Sequence, residues 1–236
     1  MMLSASNMPI PHDSHHDEAG KVRTTCLLLP SFKYIDNVTP AAVPDLIKEC
    51  VNSASTNTTP LASYQSPSST HVTNGSQQPQ QPDTSAPQEL PHGLTIRDCP
   101  HAYLILVCSQ ATRDARCGQS APLLRREFER QLRPLGLYRD LEDERPGGVG
   151  IYFISHVGGH KFSANVMIYR RGSGDRESTG VDGTGFAEAA QCIWLARVRP
   201  EDCENIVRYT ILQGKVVKPE RQLRGGLDRS RQLVSW

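Results

Sequence analysis

Two short segments carry soft metal ligands where apolar runs break into polar, glycine-containing loops. LVCSQATRDARCG (106–118) supplies two thiols, Cys108 and Cys117. SHVGGHKFSANVMIY (155–169) supplies two imidazoles, His156 and His160. Cys108 closes the run AYLILVC, short and apolar enough for a buried strand. Cys117 stands before Gly118 and a predicted helix start, where free backbone N–H groups and the helix dipole favour a thiolate. Arg113 and Arg116 in the intervening loop favour anionic sulfur in the same way. Core packing accounts for Cys108 by itself. It accounts poorly for Cys117, because TRDARCG is polar. The spacing of the pair also leaves a disulfide open.

The two histidines are four residues apart, with Gly158 and Gly159 between them. Adjacent glycines disfavour a helix. A tight loop instead lets both imidazoles turn toward one point while the backbone approaches closely. The plainer alternative has one histidine capping a strand and the other facing solvent. Taken together, two thiols and two imidazoles suit one shared metal site. Zinc binds such a set tetrahedrally, although the spacing differs from the ordinary finger pattern. A [2Fe–2S] cluster with two thiolates on one iron and two imidazoles on the other is the competing occupant. Two thiolates leave an oxidised cluster site near neutrality, whereas four leave it anionic. A mixed site therefore accepts an electron more readily than an all-cysteine one. Its imidazoles can also couple the electron to a proton.

The elements that position these ligands are legible as an α/β pattern. After AYLILVC (102–108), SAPLLRREFERQLRPLG (120–136) reads as a helix with Ser120 as cap and Gly136 as stop. GIYFISH (150–156), ANVMIYR (164–170) and CIWLARV (192–198) read as strands, and 199–214 as a closing helix that starts at Pro200 and ends at Gly214. The order β-α-β-β-β-α predicts a mixed sheet covered by helices. A thioredoxin-like arrangement fits that order.

Organisation along the 236-residue chain follows from composition. Residues 1–23 read as a disordered start, and 24–52 as a strand–helix element, TTCLLLPSFKYI then TPAAVPDLIKECV with Thr39 as cap. That element is too small to stand alone, so it packs on the main body or is the remnant of a longer N-terminal half. Residues 53–91 are dominated by Ser, Thr, Asn, Gln and Pro and read as a disordered linker. Residues 92–214 form the main domain, and 215–236 a basic tail ending in Trp236. The tail holds Lys215, Lys218, Arg221, Arg224, Arg229 and Arg231; it reads as solvated, or as a docking surface for an acidic protein.

Net charge is +1, so there is no global electrostatic case for nucleic acid. Seven cysteines with no secretory leader argue against a disulfide scaffold. No apolar run approaches the roughly 20 residues that a membrane helix needs. Asp13, Asp17 and Glu18 match a mitochondrial presequence poorly. The glycine-rich stretch 171–185 lacks a Walker lysine and reads as a loop. No substrate pocket, general base or nucleotide motif is visible, which points to an electron carrier more than an enzyme. The alternatives are a zinc-stabilised interaction module and a thiol oxidoreductase using Cys108 or Cys117.

LVCSQATRDARCG, APLL (121–124), SHVGGHKFSANVMIY, LPSFKYIDNVTPAAVPDL (29–46) and the terminal Trp236 resemble the sucrase/ferredoxin-like family of thioredoxin-like ferredoxins, in its fungal branch. The likeness covers 94–236 well and 24–50 more thinly. It implies a [2Fe–2S] cluster held by Cys108, Cys117, His156 and His160, with Arg113, Arg116, Gly158 and Gly159 around it. It also implies a redox role for Trp236, which would cover the cluster or dock on an unidentified redox partner, and a mitochondrial setting, with the cytoplasm as the alternative. Plant relatives read RCGVCG where this chain reads RCGQSAP, which favours the mixed ligand set. The chain has no CxxC pair, so a thioredoxin-like fold would not bring dithiol exchange with it. Paired carboxylates of the glycosidase kind are not recognisable, so the word sucrase implies no activity.

Overall fold

The computed structural model describes residues 2–9, 23–61, 88–155, 162–171 and 188–235. Its centre is β5 (Tyr103–Cys108), whose uninterrupted apolar sequence fits a strand buried on both faces. β5 pairs in parallel with β7 (Val149–Ile154) and antiparallel with β8 (Val166–Arg171). β6 (Tyr138–Arg139), β9 (Ala189–Leu195), β10 (Leu223–Asp228) and β11 (Leu233–Ser235) complete a seven-stranded sheet, ordered β11-β10-β9-β8-β5-β7-β6. The α/β class and the mixed sheet expected from sequence are both present.

One face of this sheet is covered by helices. α2 (Ala115–Leu132) buries Cys117, Ala121, Leu124, Phe128 and Leu132, a stripe at helical spacing, the last four in one cluster with Ile105, Val107, Ile151 and Ile168. The helix starts five residues before the expected Ser120. Asp114 is its cap, accepting from the Arg116 N–H at 3.0 Å, while the Ser120 hydroxyl bonds back to the Cys117 carbonyl at 3.3 Å. Gly136 closes the last turn in the left-handed region, as expected. The closing helical stretch runs from a 3₁₀ turn (Pro200–Asp202) through α3 (Cys203–Asn205) into a π-helical segment (Ile206–Ile211).

The N-terminal half covers the opposite face. β1 (Thr24–Leu28), β2 (Lys33–Val38), β3 (Gln88–Glu89) and β4 (Thr95–Asp98) form a four-stranded antiparallel sheet ordered β1-β2-β4-β3. The single strand expected at 24–35 is thus two. The expected helix after Thr39 begins as a 3₁₀ turn, Pro40–Ala42, without a side-chain cap, and continues through α1 (Val43–Asp45) into a π-helical Leu46–Val51. Phe32, Tyr34 and Cys99 pack on Leu104, Leu106, Tyr152 and Met167 of the large sheet. The Tyr34 and Tyr152 hydroxyls meet at 2.8 Å, and His101 Nε2 reaches Tyr152 at 3.1 Å. Burial holds His101 down at about 4, hence neutral. Most of the linker expected at 53–91 lies outside the described residues, but Gln88–Glu89 pairs with β4.

The basic tail is built into the fold. After α4 (Pro219–Gln222), β10 pairs with β9, and Arg229 is buried at 2% exposure. Lys218 is paired with Asp202, and Arg231 with Asp228 at 3.9 Å. The expectation of a solvated tail overlooked strand pairing that LRGGLD does not advertise, because its glycines break apolar alternation. Among the described residues no helix is long and apolar enough to cross a membrane.

Gly150 gives this two-sided packing a sharp test. A Cβ there would lie 2.5 Å from Cδ2 of the buried His101 ring. Gly150→Ala is expected to cost about 2 kcal/mol by chemical denaturation. Adding His101→Ala should recover part of that cost. Additive losses in the double variant would rule out this contact as the cause.

Candidate metal centre

Cys108 and Cys117 converge although eight residues separate them. β5 ends at Cys108, and a tight loop returns the chain to α2, whose first turn carries Cys117. Gly118 is essential to that return: a Cβ there would meet the Ala111 Cβ at 2.5 Å and its Cα at 3.0 Å. Both sulfurs are fully buried free thiols in side-chain hydrogen-bond contact. Burial first, then the neighbouring Cys117 and the Asp114 carboxylate, push the Cys108 thiol up to about 12.

The backbone of Cys108 is held between two strand ends. Its N–H donates to the Asn165 carbonyl at 3.0 Å, and the next N–H, of Ser109, donates to the Ile154 carbonyl at 3.0 Å. Ile154 and Asn165 are also where the chain nears and leaves the segment 156–161 from either side. His156, Gly158, Gly159 and His160 lie outside the described residues, as does Trp236. Ser155 and Phe162, the described residues bounding that segment, therefore belong to backbone tied to Cys108. Such a position, at the carboxyl ends of neighbouring parallel strands, is where open α/β sheets place ligand sites.

The two arginines of the loop differ in what they touch. Arg116 places Nε 3.0 Å and Nη2 2.8 Å from Asp114, so its charge serves the helix cap first, and it also lies within Coulombic reach of Cys117, as expected of a charge that favours anionic sulfur. Arg113 is exposed in the loop. The burial that seals the thiols outweighs any gain for a thiolate at Cys108. Asp114→Asn should keep the cap while removing a carboxylate that raises Cys108. The expected outcome is a lower Cys108 pKa in the metal-free protein, read from thiolate absorbance against pH; an unchanged titration would remove Asp114 from the account. Asp114→Ala should in addition cost about 1 kcal/mol of stability.

Sequence reasoning missed two contributors. Asn165 carries no local signal, since its role depends on a strand paired from 57 positions away; it is buried and also donates from Nδ2 to the Phe162 carbonyl at 2.9 Å. The second is the start of the chain. Ser4–Asn7 lies along the end of β7: Ser6 bridges Ile154, Ser4 and Ser155 share a 2.9 Å hydroxyl contact, and Asn7 Oδ1 accepts from the Phe153 N–H at 2.7 Å. Among the described residues no group of three or more His, Cys, Asp or Glu side chains is arranged to hold a metal.

The family model described as sucrase/ferredoxin-like matches residues 1–225. Actin patches distal protein 1 of Saccharomyces cerevisiae is 41% identical over 115 residues, 49% of this chain and 31% of that protein. Altered inheritance of mitochondria protein 32 of Clavispora lusitaniae is 35% identical over 118 residues, 50% of this chain and 33% of its own. The corresponding Debaryomyces hansenii protein is 36% identical over 115 residues, 49% of this chain and 33% of its own. The matched region thus spans about a third of these relatives' length. No solved structure matches.

Proposed function

Because the chain belongs to the sucrase/ferredoxin-like family, a membership that fits a redox-related role, we propose that it is an electron carrier whose Cys108, Cys117, His156 and His160 hold a [2Fe–2S] cluster. The observation that carries this reading is the sealed Cys108/Cys117 pair, with backbone leading into and out of the histidine segment bonded on both sides of Cys108. Two adjacent soft donors shielded from water suit one iron of such a group. When bound, the cluster supplies one-electron chemistry at a potential above that of an all-cysteine site.

The chain's own residues define the setting. Asn165 and Ile154 fix the Cys108 backbone, and Gly118 lets the loop bring Cys117 alongside. Burial excludes water from both sulfurs. It also opposes the thiol oxidoreductase reading: a fully buried Cys108 raised to about 12 is a poor nucleophile at neutral pH. Loading displaces the Cys108 proton, so metal uptake is expected to strengthen as pH rises. Relatives named altered inheritance of mitochondria protein 32 support a mitochondrial setting for this role.

Anaerobic reconstitution with iron and sulfide tests the reading, with iron, sulfide and zinc quantified and the reduced protein examined by EPR. Two irons and two sulfides per chain with a Rieske-like signal are expected. One zinc per chain, with no iron or sulfide retained after reconstitution, would replace the carrier with a zinc-stabilised module.

A further inference from the structure

Two guanidinium groups from separate elements converge on one ring beside the candidate centre. Arg197, just after β9, lies 3.9 Å from the Phe162 ring centroid, and Arg224, in β10, lies 4.7 Å from it. Among the described residues no carboxylate pairs with either arginine. Three other basic residues in this part of the chain are paired: Lys218 with Asp202, Arg229 with Glu188, Arg231 with Asp228. Among the described residues these two like charges are drawn together without a paired carboxylate, which makes the described surface locally positive.

The backbone beneath them is unusual. Arg197 has φ 55° and Ala164 has φ 56°, both in the left-handed region that non-glycine residues seldom occupy. They face each other through hydrogen bonds from the Arg197 N–H to the Ser163 carbonyl at 2.9 Å and from the Val198 N–H to the Ala164 carbonyl at 3.3 Å. Strain of this kind persists where surrounding structure holds a functional geometry. The platform also connects to the centre by a short bonded route. The Phe162 carbonyl accepts from Asn165 Nδ2, and the Asn165 carbonyl accepts from the Cys108 N–H. Few covalent and hydrogen bonds therefore separate a proposed ligand from a charged, aromatic surface.

We propose that Arg197 and Arg224, braced on Phe162, form the docking platform for an acidic patch on a protein electron-transfer partner. The inference rests on the electron-carrier reading for the partner's role, but the charge and geometry of the platform stand apart from the metal. Guanidinium groups recognise carboxylates in a planar, forked geometry, and the ring beneath them limits the freedom lost on contact. Charge at such a rim chiefly steers encounter and weakens with salt.

The test measures binding of a fluorescein-labelled octaglutamate peptide to the full chain as purified, with iron quantified on the same sample. Arg197→Gly removes one charge and suits the left-handed backbone; combined with Arg224→Gln it should weaken binding by about tenfold or more at low salt. Arg126→Gln/Arg208→Gln, an equal charge loss at exposed positions elsewhere, should change it by less than about twofold. Arg224→Gln alone, which spares the strained turn, should give an intermediate loss. Equal losses in platform and control variants, or none in Arg224→Gln, would overturn the proposal. So would millimolar inorganic phosphate binding at these arginines while the peptide fails to bind, since the platform would then be a small-anion site. Protein that binds the peptide through these arginines yet retains neither iron nor sulfide after anaerobic reconstitution would keep the platform and remove the electron-carrier reading.

Discussion

Replacing Cys117 by alanine is expected to lower iron retention by roughly 100-fold or more, since loss of even an outer-shell partner of a metal ligand costs 10- to 100-fold. Cys108→Ala should do the same. The fold should survive both changes, because each removes one sulfur from a close-packed site at a cost of about 1 kcal/mol. Cys203→Ala is the matched control: Cys203 is equally buried but faces Arg199, its sulfur 3.7 Å from that carbonyl. Its iron content should equal that of the unaltered protein. Full iron retention in Cys117→Ala, with circular dichroism unchanged, would exclude Cys117 as a ligand. The metal-free protein carries a pH signature of the same pair. The folded state raises Cys108 from its ordinary value of 9.0 to about 12, so it holds a proton that the unfolded chain gives up sooner. The stabilisation is complete below pH 9 and is lost as pH rises toward 12. Cys108→Ala should flatten this alkaline loss, read as the midpoint of urea unfolding between pH 8 and 11.

Arg229→Ala is expected to be the most damaging substitution outside the candidate centre. The side chain is 1% exposed and joins three parts of the chain. Nε donates to the Thr59 carbonyl at 2.7 Å, Nη1 to the Ala189 carbonyl at 3.0 Å, and Nη2 to Glu188 at 2.7 Å and the Pro60 carbonyl at 3.4 Å. Truncation leaves the buried Ala189 carbonyl and the part-buried Thr59 and Pro60 carbonyls without this donor and separates Glu188 from its counter-charge. Breaking a buried pair typically costs 3–5 kcal/mol, and Glu188 is 31% exposed, so water can reach it. The low end, about 3 kcal/mol, is therefore the expectation, equivalent to a fall in Tm of roughly 6 to 12 °C. Arg229→Lys should recover only part, because an ammonium cannot reproduce the planar fork that reaches all four acceptors. A Tm within about 2 °C of the unaltered protein would show that these bonds contribute little net stability.

The contrast between readable and unreadable parts follows from the range of the signals. Tyr103–Cys108 and Val149–Ile154 are apolar without a break, so their identity as buried strands needs no partner to be named. The α2 stripe announces itself through helical spacing, and only its start was misplaced, because Asp114 caps ahead of the equally plausible Ser120. Asp before a polar turn and an apolar helical stripe was a usable signal. β10 is the opposite case. Gly226 has φ 153°, and a Cβ there would come within 2.2 Å of the Cys192 carbonyl oxygen. The glycines that permit this close approach are the same residues that erase the strand pattern. Ser4–Asn7 likewise pairs through backbone and small polar side chains, which leave no apolar periodicity.

By itself the sequence determined the α/β class and the main run of strands and helices on which the thiols sit, and it supplied the residue types behind the proposal of Cys108, Cys117, His156 and His160 as donors. Those properties are local: they depend on residue type and on repeats shorter than about a dozen positions. Tertiary structure alone decided that the two thiols meet, that the N-terminal sheet closes the face opposite α2, and that a basic tail becomes strand with a buried Arg229. It also decided that Arg116 serves Asp114 and that Arg197 and Arg224 share one ring. Each of these depends on which distant backbone groups pair, such as Arg229 with Thr59 across 170 positions, and local periodicity does not encode pairing at that range.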